Sequence, residues 1–218
     1  ATADLSAKSI STTLPTVQQA TVGNFDPAAL LAVGSHTTSD QMAFYNVCSG
    51  LRFTLTGAVS NYKSIELSGN NGEKIAGAVS ISCSKATTPV VSSAGSTTVS
   101  LVAPEGKNFE KSIDSSKKYY YYFVFAPGVF KKGFKLTFKD ANGSALFTCT
   151  CNSYVEFKRS TFASIDGVDD PKKLAAIRDG DLLSTDGTAN CYIVSKAGSY
   201  KFPLSRATEK EFLSGITS

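Results

Sequence analysis

The sequence lacks most of the residues with which enzymes build a reacting centre. It has one histidine, His36, no tryptophan, and only 18% charged residues in a chain of 218. Ser-His-Asp and Cys-His catalysis places a histidine beside the nucleophile, whereas His36 is predicted to lie in a polar loop, Gly34-Ser35-His36-Thr37-Thr38-Ser39-Asp40. None of the 18 acidic residues falls in a glycosidase-like motif, and glycine-rich phosphate loops are absent. We therefore expect no enzyme activity, no catalytic residues and no cofactor.

Cysteine pairs with metal-binding spacing are also absent. The five cysteines are an odd number with no Cys-x-x-Cys pair, so zinc sites built from cysteine and histidine do not fit. In Cys149-Thr150-Cys151 both thiols point to one side of a strand and are poorly placed to bridge each other. Buried thiols that pack as small apolar groups are the favoured interpretation, with a disulfide such as Cys83–Cys149 as the alternative. The five are Cys48, Cys83, Cys149, Cys151 and Cys191.

Calcium sites are disfavoured as well. Asp140-Ala141-Asn142-Gly143 matches only the middle of an EF-hand loop and lacks the terminal glutamate, so it predicts a hairpin turn. A second acidic cluster is explained by helix capping and by solvation of a linker, with weak calcium binding as the alternative. The sequence thus predicts no metal ligands. This cluster comprises Asp166, Asp169, Asp170, Asp179 and Asp181.

Long apolar runs and dense basic blocks are missing too. The net charge of +4 comes from 18 lysines and 4 arginines scattered along the chain, which does not indicate a nucleic-acid partner. The most apolar run, residues 119–130, opens with four tyrosines and is shorter than the roughly 20 residues of a transmembrane helix. Residues 1–11 lack the regions of a signal peptide, so any export signal is expected either to have been removed or never to have existed.

Apolar residues do recur at every second position, which is the period of β-strands. The pattern predicts strands around residues 47–56, 64–68, 75–83, 99–101, 119–126, 134–138, 147–151 and 155–157. Across the Gly69-Asn70-Asn71-Gly72 turn, residues 62–83 are predicted to form a β-hairpin. Asp140-Ala141-Asn142-Gly143 predicts a second hairpin between residues 134 and 151.

Short strands separated by Gly, Asn, Ser and Pro predict an all-β fold, an antiparallel sandwich or barrel. We expect a sandwich from about Leu5 to Phe162. Alternation also selects the side chains that face its core. The predicted core residues are Phe53, Leu55, Leu67, Val79, Ile81, Leu101, Phe123, Phe125, Leu136, Phe138, Phe147 and Phe157.

One helix is predicted, at Asp170–Arg178, because Asp170 suits the N-cap, Pro171 the first turn and Gly180 the position past the end. Asp26-Pro27 opens a similar stretch, but a turn feeding a strand is at least as well supported there. We place a boundary near Ile165. It divides the chain into a β-sandwich domain, 1–165, and a segment 166–218 with a linker, the short helix and a partial second β domain.

The run Tyr119-Tyr120-Tyr121-Tyr122-Phe123-Val124-Phe125 is the most unusual feature. Successive side chains alternate between faces, so half of them point into the core. The favoured interpretation is a central strand covered on both faces, and the alternative is a platform on which sugars stack. The absence of tryptophan weakens the platform.

Several segments resemble the fimbrillin-like proteins of Bacteroidales, the subunits of type V pili and related surface lipoproteins. Tyr120 to Pro127 followed by Lys132 to Phe138 resembles the later strands of that family, and 157–162 its exit from the first domain. The resemblance covers most of the chain and includes no catalytic motif. The other segments that carry it are Asn24-Phe25-Asp26-Pro27, 43–55, 65–77, 188–195 and 198–203.

The resemblance implies a transthyretin-like β-sandwich, usually two in tandem, exported as a lipoprotein. In pilins, proteolytic removal of an N-terminal strand leaves a groove that a neighbour's terminal strand fills, which is strand addition to a sheet edge. No lipidated cysteine lies near Ala1, so the membrane anchor is expected to have been removed. The chain also stops about where relatives build a second domain.

The leading hypothesis is therefore a non-enzymatic cell-surface protein, a fimbrial subunit or tip adhesin, at the outer membrane. Its partners would be other pilus subunits, joined by strand exchange, or host and bacterial surface ligands. The alternative is a glycan-binding accessory lipoprotein on the same surface. Residues 186–218 are expected to be a docking or exchange segment, because their strand-like pieces are too short to bury a core of their own.

Overall fold

The structure is a computed structural model that describes residues 1–4, 8–36, 42–82, 89–112, 117–179, 190–195, 198–203 and 207–208. Short strands dominate these residues. The strands are β1 (Thr2–Asp4), β2 (Ser9–Leu14), β3 (Val17–Gln19), β4 (Ala32–His36), β5 (Met42–Asn46), β6 (Ser49–Phe53), β7 (Ser64–Gly69), β8 (Gly77–Ser82), β9 (Val90–Val91), β10 (Thr98–Val102), β11 (Tyr121–Phe125), β12 (Gly128–Phe130), β13 (Phe134–Lys139), β14 (Ala145–Cys151), β15 (Val155–Phe157), β16 (Phe162–Ile165), β17 (Asn190–Ser195), β18 (Gly198–Pro203) and β19 (Ala207–Thr208).

The all-β, sandwich-like fold class is confirmed. A five-stranded sheet has the order β14-β13-β7-β10-β3, and a three-stranded sheet has the order β11-β6-β16. A four-stranded sheet, β1-β2-β8-β9, carries the first strands of the chain, and β12 pairs with β15. Most pairs are antiparallel, as predicted, but β3 runs parallel to β10 and β16 runs parallel to β6.

A single hydrophobic core joins these sheets, and aromatic rings connect its parts. The ring of Phe157 lies 4.9 Å from that of Phe125 and 5.7 Å from that of Phe134, which links β11 through β15 to β13. Tyr62 lies 4.9 Å from Phe138 at the other end of the core. Edge-to-face pairs at these distances are favourable beyond the area that they bury.

The predicted core residues are buried, with one exception. Phe147 is only partly buried, because it lies on β14, the terminal strand of its sheet, and has a neighbouring strand on one side only. Its ring stacks on that of Phe138 at 4.4 Å, and Phe138 itself is fully buried on the next strand.

The predicted hairpin over residues 62–83 is wrong. β7 pairs with β10 and β13, whereas β8 pairs with β2 and β9 in a different sheet. The chain crosses between the sheets after the turn at Gly72, and Ile75 then donates its N–H to the carbonyl of Ser96. Alternation determines which face of a strand is buried but not which strand it pairs with. The pairing was therefore inferred from the turn alone, and that inference was wrong. The second predicted hairpin, β13–β14, is confirmed.

The one predicted helix start is capped as expected, and the turn considered at Asp26 is capped as well. Asp170 accepts a hydrogen bond from the N–H of Lys172, and Pro171 begins a helix, α1 (Pro171–Ala175), that is shorter than predicted. Asp26 caps a single 3₁₀ turn, Pro27–Ala29, which leads into β4. Within the described residues, no helix has the length and apolar character needed to cross a membrane.

The proposed boundary near Ile165 coincides with the end of β16. The residues that follow still contribute to the core, since Val168 and Leu174 are fully buried. Further on, β17 and β18 form a two-stranded hairpin, and Ala207–Thr208 pairs with β5. The division into two domains and the role of residues 186–218 stay predictions.

Candidate functional site

The structure separates the residues that are candidates for catalysis or metal binding. His36 ends strand β4 and is not in the predicted polar loop. Within the described ranges, no group of three His, Cys, Asp or Glu side chains is placed to hold a metal ion. The acidic residues after Ile165 have separate roles, because Asp166 pairs with Lys118, Asp170 caps α1 and Asp179 accepts from the N–H of Tyr154. Asp181 lies outside the described residues.

Asp169 corrects the expectation of a solvated linker, because its side chain is only 1% exposed. The carboxylate accepts from the N–H groups of Thr56 and Gly57 at 2.7 and 2.9 Å and from the hydroxyl of Tyr62 at 3.2 Å. The Lys111 ammonium lies 3.3 Å away. A paired and hydrogen-bonded buried carboxylate fixes its surroundings. Asp169 therefore fastens the chain after β16 to the loop that follows β6.

Burial also explains the titration of the groups around Asp169. The pKa of Tyr62 is raised well above its ordinary value, first by desolvation and then by the negative charge of Asp169. Desolvation, followed by Asp169 and Asp170, raises the pKa of the Cys149 thiol to about 12. Cys149 is a free thiol, so the alternative Cys83–Cys149 disulfide is wrong. The Cys149 thiol therefore stays protonated and unreactive, since only a thiolate is a nucleophile.

The thiols of Cys48 and Cys151 are buried as well, as the favoured interpretation predicts. Each lies at hydrogen-bonding distance from a backbone carbonyl, that of Ala29 for Cys48 and that of Ser153 for Cys151. The side chains of Cys83 and Cys191 lie outside the described part of the chain.

From Tyr121 onward the tyrosine run is covered on both faces, as predicted, since all five residues of β11 are buried, whereas Tyr119 and Tyr120 are partly buried. It is not a central strand, however, because among the described strands β11 pairs with β6 alone. Its outer edge is met by other groups. The side-chain amide of Gln18 binds both outward backbone groups of Val124. Its Nε2 donates to the carbonyl at 2.5 Å, and its Oε1 accepts from the N–H at 3.0 Å.

Two further backbone groups along the outer edge of β11 are also satisfied. Gly23 donates its N–H to the carbonyl of Tyr120, and Ala126 donates its N–H to the carbonyl of Ile75, both at 2.8 Å. We call β11 a plugged edge, meaning an edge strand whose outward backbone groups bind other parts of the chain. Edges of this kind offer no row of unpaired groups to another strand.

Other sheet edges are plugged or flanked in different ways. On β3, the N–H of Gln19 donates to the carboxylate of Asp26 at 2.8 Å. On β10, beyond the reach of β3, the hydroxyl of Ser96 binds both the N–H and the carbonyl of Thr98. β14 packs against α1. β1 and β9 are only three and two residues long, and very short edge strands are poor templates.

At the outer edge of β16, by contrast, the described residues provide no plug. Gly50 and Thr54 of the β6 region donate to the carbonyls of Thr161 and Ile165. Since backbone groups alternate in direction along a strand, the N–H and carbonyl of Ser164 point away from β6. No described residue binds these two groups, and no described strand pairs with this side of β16. We call β16 the open edge.

Apolar side chains lie at the open edge. Ile165 is the partner of Phe53 in the β16–β6 register and packs against the core, yet it stays half-buried because no described strand lies beyond it. Phe162 covers Gly50, where a Cβ would stand 2.0 Å from the ring. The open edge thus combines unpaired backbone groups with apolar surface at the rim of the core, which is what an added strand needs.

The sequence did not predict the side chains that plug these sheet edges. In Val17-Gln18-Gln19 the apolar residue is 55% exposed and Gln18 is fully buried, which reverses the ordinary pattern of a half-buried strand. The reversal shows only once Val124 is known to lie opposite Gln18. The one signal in the sequence was Asp26, which was identified as a cap and also binds Gln19.

Comparisons with known proteins give distant structural similarity only. No protein-family model matches the chain, and no curated protein is significantly similar to it. A putative cell adhesion protein from Bacteroides ovatus is similar at 11% identity and a TM-score of 0.36, over 56% of this chain and 40% of that one. A putative cell adhesion protein from Bacteroides uniformis is similar at 10% identity and a TM-score of 0.36, over 83% of this chain and 65% of that one. The chain spans less than two thirds of either structure.

Proposed function

We propose that this chain is a non-enzymatic cell-surface protein, a fimbrial subunit or adhesin, that assembles by β-strand addition. The open edge at β16 is the observation that carries the proposal. The plugged edges present few unpaired backbone groups, whereas β16 offers Ser164 and the half-buried Ile165 to an incoming strand. Backbone hydrogen bonds would supply affinity, and side chains on alternate positions would supply register.

Residues 186–218 are the proposed donor of the incoming strand. β17 and β18 pair only with each other among the described strands, and an isolated two-stranded hairpin is at best marginally stable in water. Their sequences, Cys191-Tyr192-Ile193-Val194 and Tyr200-Lys201-Phe202, carry apolar residues that need a partner surface. A neighbouring copy of the sandwich domain would provide that surface.

The test is a set of three single variants. Ser164→Pro removes the outward N–H of the open edge, because proline has no N–H to donate. Ser164→Ala keeps that N–H and removes only the hydroxyl. Val17→Pro is the matched control, since it removes an outward N–H from the plugged β3 edge at a residue that is 55% exposed.

Light scattering over a range of concentrations and electron microscopy of the full chain provide the measurement. We expect oligomers or filaments from the wild type, Ser164→Ala and Val17→Pro, and monomers from Ser164→Pro. A wild-type chain that is monomeric at every concentration would overturn the proposal. So would a Ser164→Pro variant that is folded by circular dichroism and assembles like the wild type.

Glycan binding is a second candidate function. It is favoured by the position of Arg52 on the outer face of the three-stranded sheet, where its guanidinium lies over the ring of Tyr120.

A further inference from the structure

A polar cluster lies on the outer face of the β11-β6-β16 sheet. In the register of the strands, Arg52 stands between Tyr122 on β11 and Ser164 on β16. The face opposite carries Phe53 and Phe123 into the core. Arg52 therefore points outward from a rigid central strand, which holds a side chain more firmly than a loop does.

The guanidinium of Arg52 is held from two sides. Its Cζ lies 4.9 Å from the centre of the Tyr120 ring, within the range of a cation–π contact. Its Nε donates to the hydroxyl of Ser164 at 3.0 Å. These two contacts fix the plane of the group and its direction, so little side-chain entropy remains to be lost when a ligand binds.

The two terminal amino groups of Arg52 bind nothing in the part of the chain that the structure describes. The side-chain hydrogen bond of Arg52 to that part is made by Nε. These amino groups are also not buried. Among the described residues, Oε1 of Glu73 is the one side-chain atom that is both buried and without a hydrogen-bond partner. Arg52 thus presents a fixed, solvent-facing fork of donors, which is the geometry that recognises a carboxylate or a sulfate with two parallel hydrogen bonds.

A second positive charge lies beside the same ring. The Lys118 ammonium is 2.6 Å from the Asp166 carboxylate, and its pKa is raised by that hydrogen bond and by Asp166 and Tyr120 nearby. Asp166 also accepts from the hydroxyl of Thr54 at 3.3 Å. With Arg52 and Lys118 positive and Asp166 negative, the cluster has one positive charge in excess, which favours a ligand that carries one negative charge.

We propose that this cluster, Arg52, Lys118, Tyr120, Ser164 and Asp166, binds an acidic sugar through its carboxylate or sulfate group. The Arg52 fork takes the anion. Asp166 is half-exposed at its side chain and can accept hydrogen bonds from sugar hydroxyls, which an anion site alone would not need. The hydroxyls of Ser164 and Tyr120 add further polar partners. The site names a ligand class for the surface role proposed above, although its chemistry does not depend on strand addition.

The test is binding of monosaccharides to the full chain, followed by NMR and calorimetry. Glucuronate and galacturonate provide a carboxylate, glucose 6-sulfate provides a sulfate, and glucose and galactose are the neutral controls. We expect one class of acidic sugar to bind and the neutral sugars not to bind. Carboxylate and sulfate sources are distinguished by which of them binds more tightly. An acidic peptide that binds as tightly as the acidic sugars would replace the sugar with a protein ligand and overturn the proposal.

Single variants distinguish the paired hydrogen bonds of the Arg52 guanidinium from the effect of positive charge alone. Arg52→Lys keeps the charge and loses the second donor pair, so we expect binding to weaken about tenfold or more, since hydrogen bonds to charged groups are the strong ones. Lys118→Gln should weaken it by about two- to fivefold, the effect of an exposed charge. Lys135→Gln, which removes an exposed charge from β13, is the control and should bind like the wild type.

Two further kinds of result would overturn the site. One is equal binding of acidic and neutral sugars, or no binding of either. The other is an Arg52→Lys variant, with an unchanged thermal melt, that binds like the wild type. Arg52→Lys keeps the backbone of β16, so it should still assemble. A loss of sugar binding with normal assembly would therefore be distinguishable from a failure of strand addition.

Discussion

The two edges of the three-stranded sheet differ although both border the same central strand, β6. On the β11 side, the amide of Gln18 replaces a missing strand by binding both backbone groups of Val124. On the β16 side, the outward backbone groups of Ser164 meet no described partner. One edge is thus closed by a side chain from within the fold, and the other is left for water or for another chain.

The closed edge, β11, shows what is required to protect a strand edge from pairing with another chain. Gln18 is fully buried, and a buried amide is tolerated only when its own groups are hydrogen-bonded. Gln18 meets this condition by pairing with a peptide group of the same shape. The open edge needs no such device while water satisfies it, but it retains the capacity to accept a strand.

The largest effect expected from this comparison is in the core beneath the two strands. Phe53 and Ile165 are partners in the β6–β16 register, one fully buried and the other half-buried at the rim. We expect Phe53→Ala to lower the free energy of unfolding by about 3–5 kcal/mol because it leaves a cavity. Ile165→Ala should cost clearly less in the monomer, since part of its side chain is already in water.

Chemical denaturation of both variants, at a concentration where the protein is monomeric, measures the difference. Equal losses would show that Ile165 is as enclosed as Phe53 and that the edge of β16 is covered. A loss below about 1 kcal/mol for Phe53→Ala would contradict its place in the core.

Removal of the plug is expected to have the next largest effect. Gln18→Ala leaves the buried N–H and carbonyl of Val124 without partners, and each unsatisfied buried group costs about 1–3 kcal/mol. We expect a loss of about 2–4 kcal/mol in the free energy of unfolding. Gln19→Ala is the matched control on the exposed side of the same strand and should change stability by less than about 0.5 kcal/mol.

A second readout makes this prediction specific to the edge. If Gln18 acts as a plug, Gln18→Ala should also increase the tendency to associate, because a second set of outward backbone groups becomes available on β11. An unchanged thermal melt for Gln18→Ala would show that water replaces the amide without cost.

The sequence allowed the fold class and most of the core to be predicted, because burial of alternate side chains is a local property. Leu136 and Phe138 show this, since their period of two survives whichever strand lies beside β13. Pairing is not local. The hairpin predicted between Ile65 and Val79 failed because the turn at Gly69–Gly72 links two sheets, and alternation is the same for either partner.

The candidate sites were harder to predict for the same reason. Arg52, Tyr120 and Ser164 are far apart in sequence and meet only because β6 pairs with both β11 and β16. Ser164 gave no signal in the sequence, since a serine at the alternate position to Phe162 is ordinary in a strand. Gln18 gave a misleading one, because a polar residue beside Val17 is expected to face water.

The smallest energetic effect, and the most direct view of the difference between the edges, is in the exchange of single amide protons. The N–H groups of Ala163 and Ile165 point toward β6, whereas that of Ser164 points outward. Since exchange requires breaking the hydrogen bond that holds the proton, we expect Ser164 to exchange at least about a hundredfold faster than its two neighbours. On the opposite edge, Val124 should be as protected as Ala163, because Gln18 accepts from its N–H. Hydrogen exchange followed by NMR on the monomeric protein measures all four amides together. Slow exchange at Ser164 that persists on dilution would mean that this edge is covered within the chain itself, and slow exchange that disappears on dilution would identify the covering strand as that of another copy.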